Sequence, residues 1–168
     1  MNENDVVYLL KKAENIGVEV WITGGWGVDA LIGRQTRPHN DIDIFIQKKD
    51  TPTFTKMLSM NGYCEISSES DDQIVWSDTC NRKVDLHLFE FAEAETLRFE
   101  NQIYPFNILD GKGTIGGISV RCMPVDAQVH YHQDYECREK DRQDVLLLCK
   151  TFGLPVPEIF QSETIKTL

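Results

Sequence analysis

Asp41 and Asp43 stand two residues apart in the run Asp41-Ile42-Asp43-Ile44-Phe45-Ile46, whose isoleucines alternate with other residues. In a strand, that spacing sends both carboxylates out of one face, about 6.5–7 Å apart at their Cα atoms. Two aspartates held so close repel each other, and a divalent cation with hard oxygen ligands relieves the repulsion most simply, magnesium where phosphates are handled. Two-ion sites clamp the attacking and leaving oxygens of an in-line displacement, and a third carboxylate normally completes them. Asp85 is the candidate: Val84, Leu86 and Leu88 alternate with Asp85, His87 and Phe89, so the aspartate shares a face with His87 opposite the apolar side. A lone Asp-x-Asp is more often a solvated strand face. Here it follows a second feature, Gly24-Gly25, where a strand ends and a helix opens. Amides exposed in such a turn, aided by the helix dipole, cradle phosphate. The chain has neither a Walker-type lysine nor a dinucleotide-binding glycine repeat.

The elements that must position these residues are legible around them. Val6, Leu9, Leu10, Ala13 and Ile16 recur at helical spacing ahead of Gly17, which predicts an amphipathic first helix. Residues 18–23 read as a strand ending at the glycine pair, and residues 26–32 as a helix stopped by Gly33. After a polar loop over 34–40 comes the Asp-x-Asp strand, with Ile42, Ile44 and Ile46 facing a core. Asp50-Thr51-Pro52 starts a further helix that buries Phe54, Met57 and Leu58 and closes at Asn61-Gly62. Residues 63–66, 73–76 and 83–91 are expected to be adjacent antiparallel strands. The pattern is weak after Phe91, through a glycine-rich segment, until a strand over 118–123. Helices are expected near 126–135 and 139–152, the latter closed by Gly153 and Pro155. The fold class is α+β, or α/β, on a mixed sheet with a helical C-terminal segment.

At 168 residues the chain is expected to form one domain. No window approaches the roughly 18 apolar residues of a membrane span, and the N-terminus lacks a secretory pattern, so a cytoplasmic protein without membrane partners is expected. Cys64, Cys80, Cys122, Cys137 and Cys149 are odd in number and never two residues apart; they are expected to be buried free thiols. A net charge of −10 lacks the Lys and Arg excess that a nucleic-acid partner requires and suits a cationic small ligand better.

Trp21-Ile22-x-Gly24-Gly25-Trp26-Gly27-Val28-Asp29, followed by Thr36-Arg37-x-His39-x-Asp41-Ile42-Asp43, resembles the nucleotidyltransferase superfamily of DNA polymerase β. Within it the chain is similar to the small antibiotic adenylyltransferases, the lincosamide nucleotidyltransferases and their aminoglycoside-modifying relatives. These share Gly-Gly-Trp, Thr-Arg-x-His and Asp-x-Asp, and Val84-Asp85-Leu86-His87 resembles the segment carrying their third carboxylate. Similarity at Ala127-Gln128 through His132, and at Glu139-Lys140-Asp141 with Asp144, favours the lincosamide branch; the resemblance is thin between residues 91 and 120.

The resemblance implies a polymerase-β-like mixed sheet flanked by helices, as a single domain over 1–168 with a catalytic core at 1–91 and a lobe at 92–168 completing the acceptor site. It implies ATP or another nucleoside triphosphate, two Mg2+ ions, and transfer of AMP or another nucleotide to a hydroxyl of lincomycin or clindamycin, with release of pyrophosphate. Asp41 and Asp43 would hold metal, and Asp85 would act as general base or as a further metal ligand. Gly24, Gly25, Trp26, Arg37, His39 and Lys140 are the candidate nucleotide contacts. Pairing with Asp29 is the equal alternative for Arg37, and a run such as Arg138-Glu139-Lys140-Asp141-Arg142 is more often a solvated helix face than a phosphate contact. Trp26 replaces the serine of many members, which leaves phosphate contacts there to backbone amides. His87 and Phe89 are candidates for the acceptor side. A homodimer with acceptor sites near its boundary would add His132, Tyr135 and Glu136. The alternatives are transfer to an aminoglycoside and a non-catalytic regulatory protein of the same fold, against which the three carboxylates argue.

Overall fold

The computed structural model describes residues 1–93, 95–133 and 138–161. Among the described residues, nine strands form one sheet in the order β3 (Cys64–Ser70), β4 (Gln73–Ser77), β5 (Lys83–Ala92), β2 (Asp41–Gln47), β1 (Val20–Thr23), β9 (Ile118–Cys122) and β8 (Gly111–Ile115), with β6 (Thr96–Phe99) and β7 (Gln102–Pro105) continuing from the far end of β5. At its centre β2 (Asp41–Gln47) pairs in parallel with β5 (Lys83–Ala92) and antiparallel with β1 (Val20–Thr23). Ile42, Ile44 and Ile46 of β2 and Val84 and Leu86 of β5 are fully buried on one face. There they meet Val6, Leu9, Leu10 and Ala13 of α1 (Glu3–Asn15), and Phe54, Met57 and Leu58 of α3 (Thr51–Met60). Asn2 and Asp5 cap α1 reciprocally, each side chain accepting from the other's amide at 3.1 and 2.8 Å.

On the opposite face, the first half of β2 and β5 carries polar residues and the second half carries Phe45 and Phe89. These aromatics join Trp21, Leu97, Ile108, Leu109 and Met123 in a second core. A polar site therefore sits at one end of the strands and an apolar wall at the other. The α2 helix (Gly24–Ile32) starts directly from β1 and packs through Val28 against α4 (Val125–Tyr131), α5 (Glu139–Phe152) and α6 (Glu158–Gln161).

β3 (Cys64–Ser70), β4 (Gln73–Ser77) and β5 are consecutive and antiparallel, as the polar turns between the runs lead one to expect. The weakly patterned region forms β6 (Thr96–Phe99), β7 (Gln102–Pro105), a tight turn over Phe106–Leu109 and β8 (Gly111–Ile115), ahead of β9 (Ile118–Cys122). β8 and β9 complete the main sheet through the parallel contact of Ile22 with Cys122, so the sheet runs across the 91/92 boundary. Cys122 and Cys149 are buried free thiols, whereas Cys64 and Cys80 are exposed ones, on an edge strand and in a turn; Cys137 lies outside the described residues. No helix among the described residues is long and apolar enough to cross a membrane.

Candidate active site

In the register of the parallel pair, Asp43 lies opposite Asp85 and Phe45 opposite His87, while Thr23, the last residue of β1, lies across from Asp43. Three chain segments distant in sequence thus converge at one end of the sheet, on the rim of a cavity of about 830 Å³. Potential ligand atoms of Asp43, Asp85 and His87 all lie within 4.8 Å of one another. His87 Nε2 is 3.8 Å from Asp43 Oδ1, and its ring stacks on Phe45 at 5.1 Å with Phe99 edge-on. Burial works against the charged imidazole, but hydrogen bonding to Asp43 and the charges of Asp43, Asp85 and Glu100 prevail and raise its pKa. Gln73, on β4, donates from Nε2 to both oxygens of Asp85 at 3.1 Å. Asp41 lines the same cavity without belonging to the Asp43–Asp85–His87 group.

The glycine pair is explained by what approaches it. Gly24 has φ +58°, and a Cβ there would land on the Asp43 carboxylate. A Cβ at Gly25 would lie 2.5 Å from Arg37 Nη2 and 2.6 Å from His39 Nδ1. Arg37 itself pairs with Asp144 of α5, Nη2 to Oδ2 at 2.6 Å and Nε to Oδ1 at 3.0 Å, and not with Asp29. That hydrogen bonding, opposed by partial burial, raises the guanidinium's already high pKa. Asp29 instead accepts from the Thr36 amide at 3.0 Å and hydroxyl at 2.5 Å, and meets His39 Nε2 at 2.6 Å. Since Arg37 Nη1 can only donate to His39 Nδ1, at 3.1 Å, the proton sits on Nε2 and is given to Asp29.

Arg37, Gly24, Gly25, Lys140, His87 and His132 line the cavity; Trp26, His39 and Phe89 do not. Trp26 is buried with its ring 4.7 Å from that of His39, because the helix turns its third residue into the core. His39 is enclosed between Trp26, Asp29 and Arg37, and so positions the arginine. Phe89 is fully buried against Trp21, beyond the polar half of its strand. The face of α5 that carries Asp141 and Asp144 is buried, not solvated. Asp141 accepts from the Arg138 amide and Nε, both at 2.9 Å, which outweighs burial and lowers its pKa. His132 Nδ1 donates to the Gln128 carbonyl at 2.7 Å. Tyr135 and Glu136 lie outside the described residues.

Gln73, Phe99, Glu100, Tyr104, Tyr131 and Gln128 also line the cavity, and sequence reasoning gave none of them a role there, although Gln128 and Tyr131 lie in the 127–132 segment of the resemblance. Only alternation could have found Gln73, which faces His87 across the β4–β5 pair. The others lie in the weakly patterned hairpin or on a short helix. Two facing carboxylates with an imidazole beside them are a donor set that fits a divalent cation.

Known proteins resemble the chain in sequence and in fold. The model of the aminoglycoside-2''-adenylyltransferase family matches residues 5–148. A lincosamide resistance protein of Staphylococcus haemolyticus is 26% identical over 167 residues, 86% of this chain and 92% of that protein. A 2''-aminoglycoside nucleotidyltransferase of Klebsiella pneumoniae is 37% identical over 54 residues, 32% of this chain and 30% of that one. Among solved structures, the lincosamide antibiotic adenylyltransferase LnuA with lincomycin bound superposes with a TM-score of 0.79 at 24% identity, covering 88% of this chain and 96% of that one. ANT(2'')-Ia in complex with adenylyl-2''-tobramycin does so with a TM-score of 0.75 at 23% identity, covering 90% and 89%.

Proposed function

The chain belongs to the aminoglycoside-2''-adenylyltransferase family, and from that membership we propose that it transfers the nucleotide of a nucleoside triphosphate, AMP from ATP, to a hydroxyl of a lincosamide. The observation that carries this reading is the β2–β5 register, which sets Asp43 opposite Asp85 beside the Gly24 turn. In the proposed reaction the acceptor oxygen attacks the α-phosphorus, the bond to the bridging oxygen breaks, and pyrophosphate leaves with that electron pair. Asp85 takes the hydroxyl proton, with Gln73 holding its carboxylate in place. A divalent cation, magnesium in this reading, held by Asp41, Asp43 and Asp85 would supply charge that offsets the phosphates and acidifies the hydroxyl. Arg37 and Lys140 face the cavity as cations for the departing phosphates.

The acceptor is read from the other wall. Phe45, Phe99, Tyr104, Ile108 and Tyr131 give it an aromatic and apolar surface, which suits a lincosamide, with one amine and an apolar substituent, better than a polycation. The relative matched over most of its length is also a lincosamide resistance protein. The family's name and the net charge of −10 favour an aminoglycoside as the second reading. Pyrophosphate release with magnesium and ATP separates them across a panel of lincomycin, clindamycin and several aminoglycosides. Release is expected with the lincosamides and to be lost in Asp43→Asn. Release with aminoglycosides alone would reverse the choice of acceptor, and silence across the panel would overturn the enzyme.

A further inference from the structure

Resting on that reading, one side chain of the cavity is conspicuous for what it lacks. Gln128, on α4, is 1% exposed and lines the cavity, and its Nε2 is buried without a hydrogen-bond partner among the described residues. Leaving an amide donor buried and unpaired costs its full desolvation, so native proteins seldom keep one without a use. Space for the amide is made by a different element. A Cβ at Gly27 of α2 would land on Gln128 Nε2. Gly27 is not among the glycines with positive φ, so its backbone does not demand glycine, and alanine is the better helix former. An orphaned donor and an unfavourable helical glycine therefore meet at one point of the wall. The glycine is accounted for by the amide that takes the place of its Cβ, and the unpaired donor is accounted for if an acceptor atom of a ligand arrives there.

The surroundings say which kind. Gly24, where α2 begins, touches the Asp43 carboxylate, and Gly27, about one turn further along, touches Gln128. The helix thus leads from the carboxylates towards the amide. Gly25, Arg37, Arg138 and Lys140 line the same cavity and bring backbone donors and cations to it. Donors and positive charge in that company select an anionic oxygen. We propose that the Gln128 carboxamide, held in the place that Gly27 leaves for it, donates to a non-bridging oxygen of the pyrophosphate half of the nucleoside triphosphate.

Calorimetric titration of inorganic pyrophosphate, and separately of AMP, each with magnesium, tests this on the wild-type chain, Gln128→Leu, Gly27→Ala, Gln128→Ala and the Gly27→Ala/Gln128→Ala pair. Gln128→Leu should weaken pyrophosphate binding roughly tenfold and leave AMP unchanged. The Tm of the unliganded Leu variant should hold or rise, since an orphaned donor has been replaced by an apolar group of similar shape. Gly27→Ala should weaken pyrophosphate binding with Gln128 intact, and should add nothing in the Gln128→Ala background, as expected if both act through the one amide. Pyrophosphate affinity retained by folded Gln128→Leu, loss confined to AMP, or additive effects in the pair would overturn the assignment. If the wild-type chain binds neither pyrophosphate nor AMP, the nucleotidyltransferase reading itself fails, which is a different result from wild type and variants binding alike.

Discussion

His39 is the residue whose chemistry is most easily misread. A histidine two positions before an Asp-x-Asp invites assignment to the phosphates, yet its side chain is 1% exposed and spends both nitrogens on protein partners. Its work is to fix the Arg37 fork, which cannot rotate freely while Nη1 is held at His39 and Nε and Nη2 at Asp144. His39→Ala removes one partner of the buried Asp29 carboxylate, and urea unfolding should show a loss of about 1–3 kcal/mol. In the proposed reaction the KM for ATP should rise more than kcat falls, because Arg37 is loosened and the carboxylates are untouched. An unchanged KM would mean that Arg37 keeps its place through Asp144 alone. The resemblance placed Arg37 and His39 together; hydrogen-bond geometry separates them into a group facing the cavity and a group behind it.

At the scale of elements, the turn between β4 and β5 has to place Asp85 opposite Asp43, and Asp78 organises it. Asp78 Oδ1 accepts from the amides of Cys80 and Arg82, both at 2.9 Å, and Oδ2 accepts from Arg82 Nε at 2.6 Å. Arg82 also reaches Asp5 of α1 at 2.5 Å, tying the turn to the first helix. Burial alone would raise the Asp78 pKa, but the hydrogen bonds and charge of Arg82 lower it below 3.8. In the window below the ordinary carboxylate value the unfolded chain binds the proton more readily than the native one. The contribution is therefore complete above about pH 4 and lost as the pH falls through the native value. Asp78→Asn should destabilise the protein at pH 7 by about 1–3 kcal/mol. The gap from wild type should narrow on acidification below pH 4, as followed by thermal melts; a gap independent of pH would exclude the ion pair as its source. The strands β6 and β7 escaped the pattern for a related reason. Each has four residues; β6 is ordered by pairing onto the end of β5, at Glu90 with Arg98 and Phe91 with Leu97, and β7 by pairing onto β6.

For the whole molecule, the cavity is assembled from both halves of the chain. Its residues run from Thr23 to Asp141, and Arg37–Asp144 bridges the loop before β2 to α5. A ligand that binds the native state alone, and spans α2, β2 and α5, stabilises the entire unit. Magnesium with ATP at about 100 times its Kd should add about 2.7 kcal/mol and raise Tm by roughly 5–10 °C. Asp144→Ala should diminish the rise, measurable by differential scanning fluorimetry, because Arg37 loses its bidentate partner. An equal rise in that variant would show that the Arg37–Asp144 bridge plays no part in holding the nucleotide.

By itself the sequence determined the main elements and the carboxylates. Alternation in β2 and β5 needs only the period of a strand, and the helical stripes of α1, α3 and α5 need only the period of a helix, so Ile42, Ile44 and Ile46 could be told from Asp41 and Asp43 without tertiary knowledge. Tertiary structure decided what depends on pairing and burial. The parallel register made Asp85 the partner of Asp43, the core claimed Trp26 and Phe89, and α5 turned Asp144 inward to Arg37. The amide of Gln128 became an orphan only when α4 was laid across Gly27. No local period encodes such facts, because each is a relation between segments that meet only once the chain has folded.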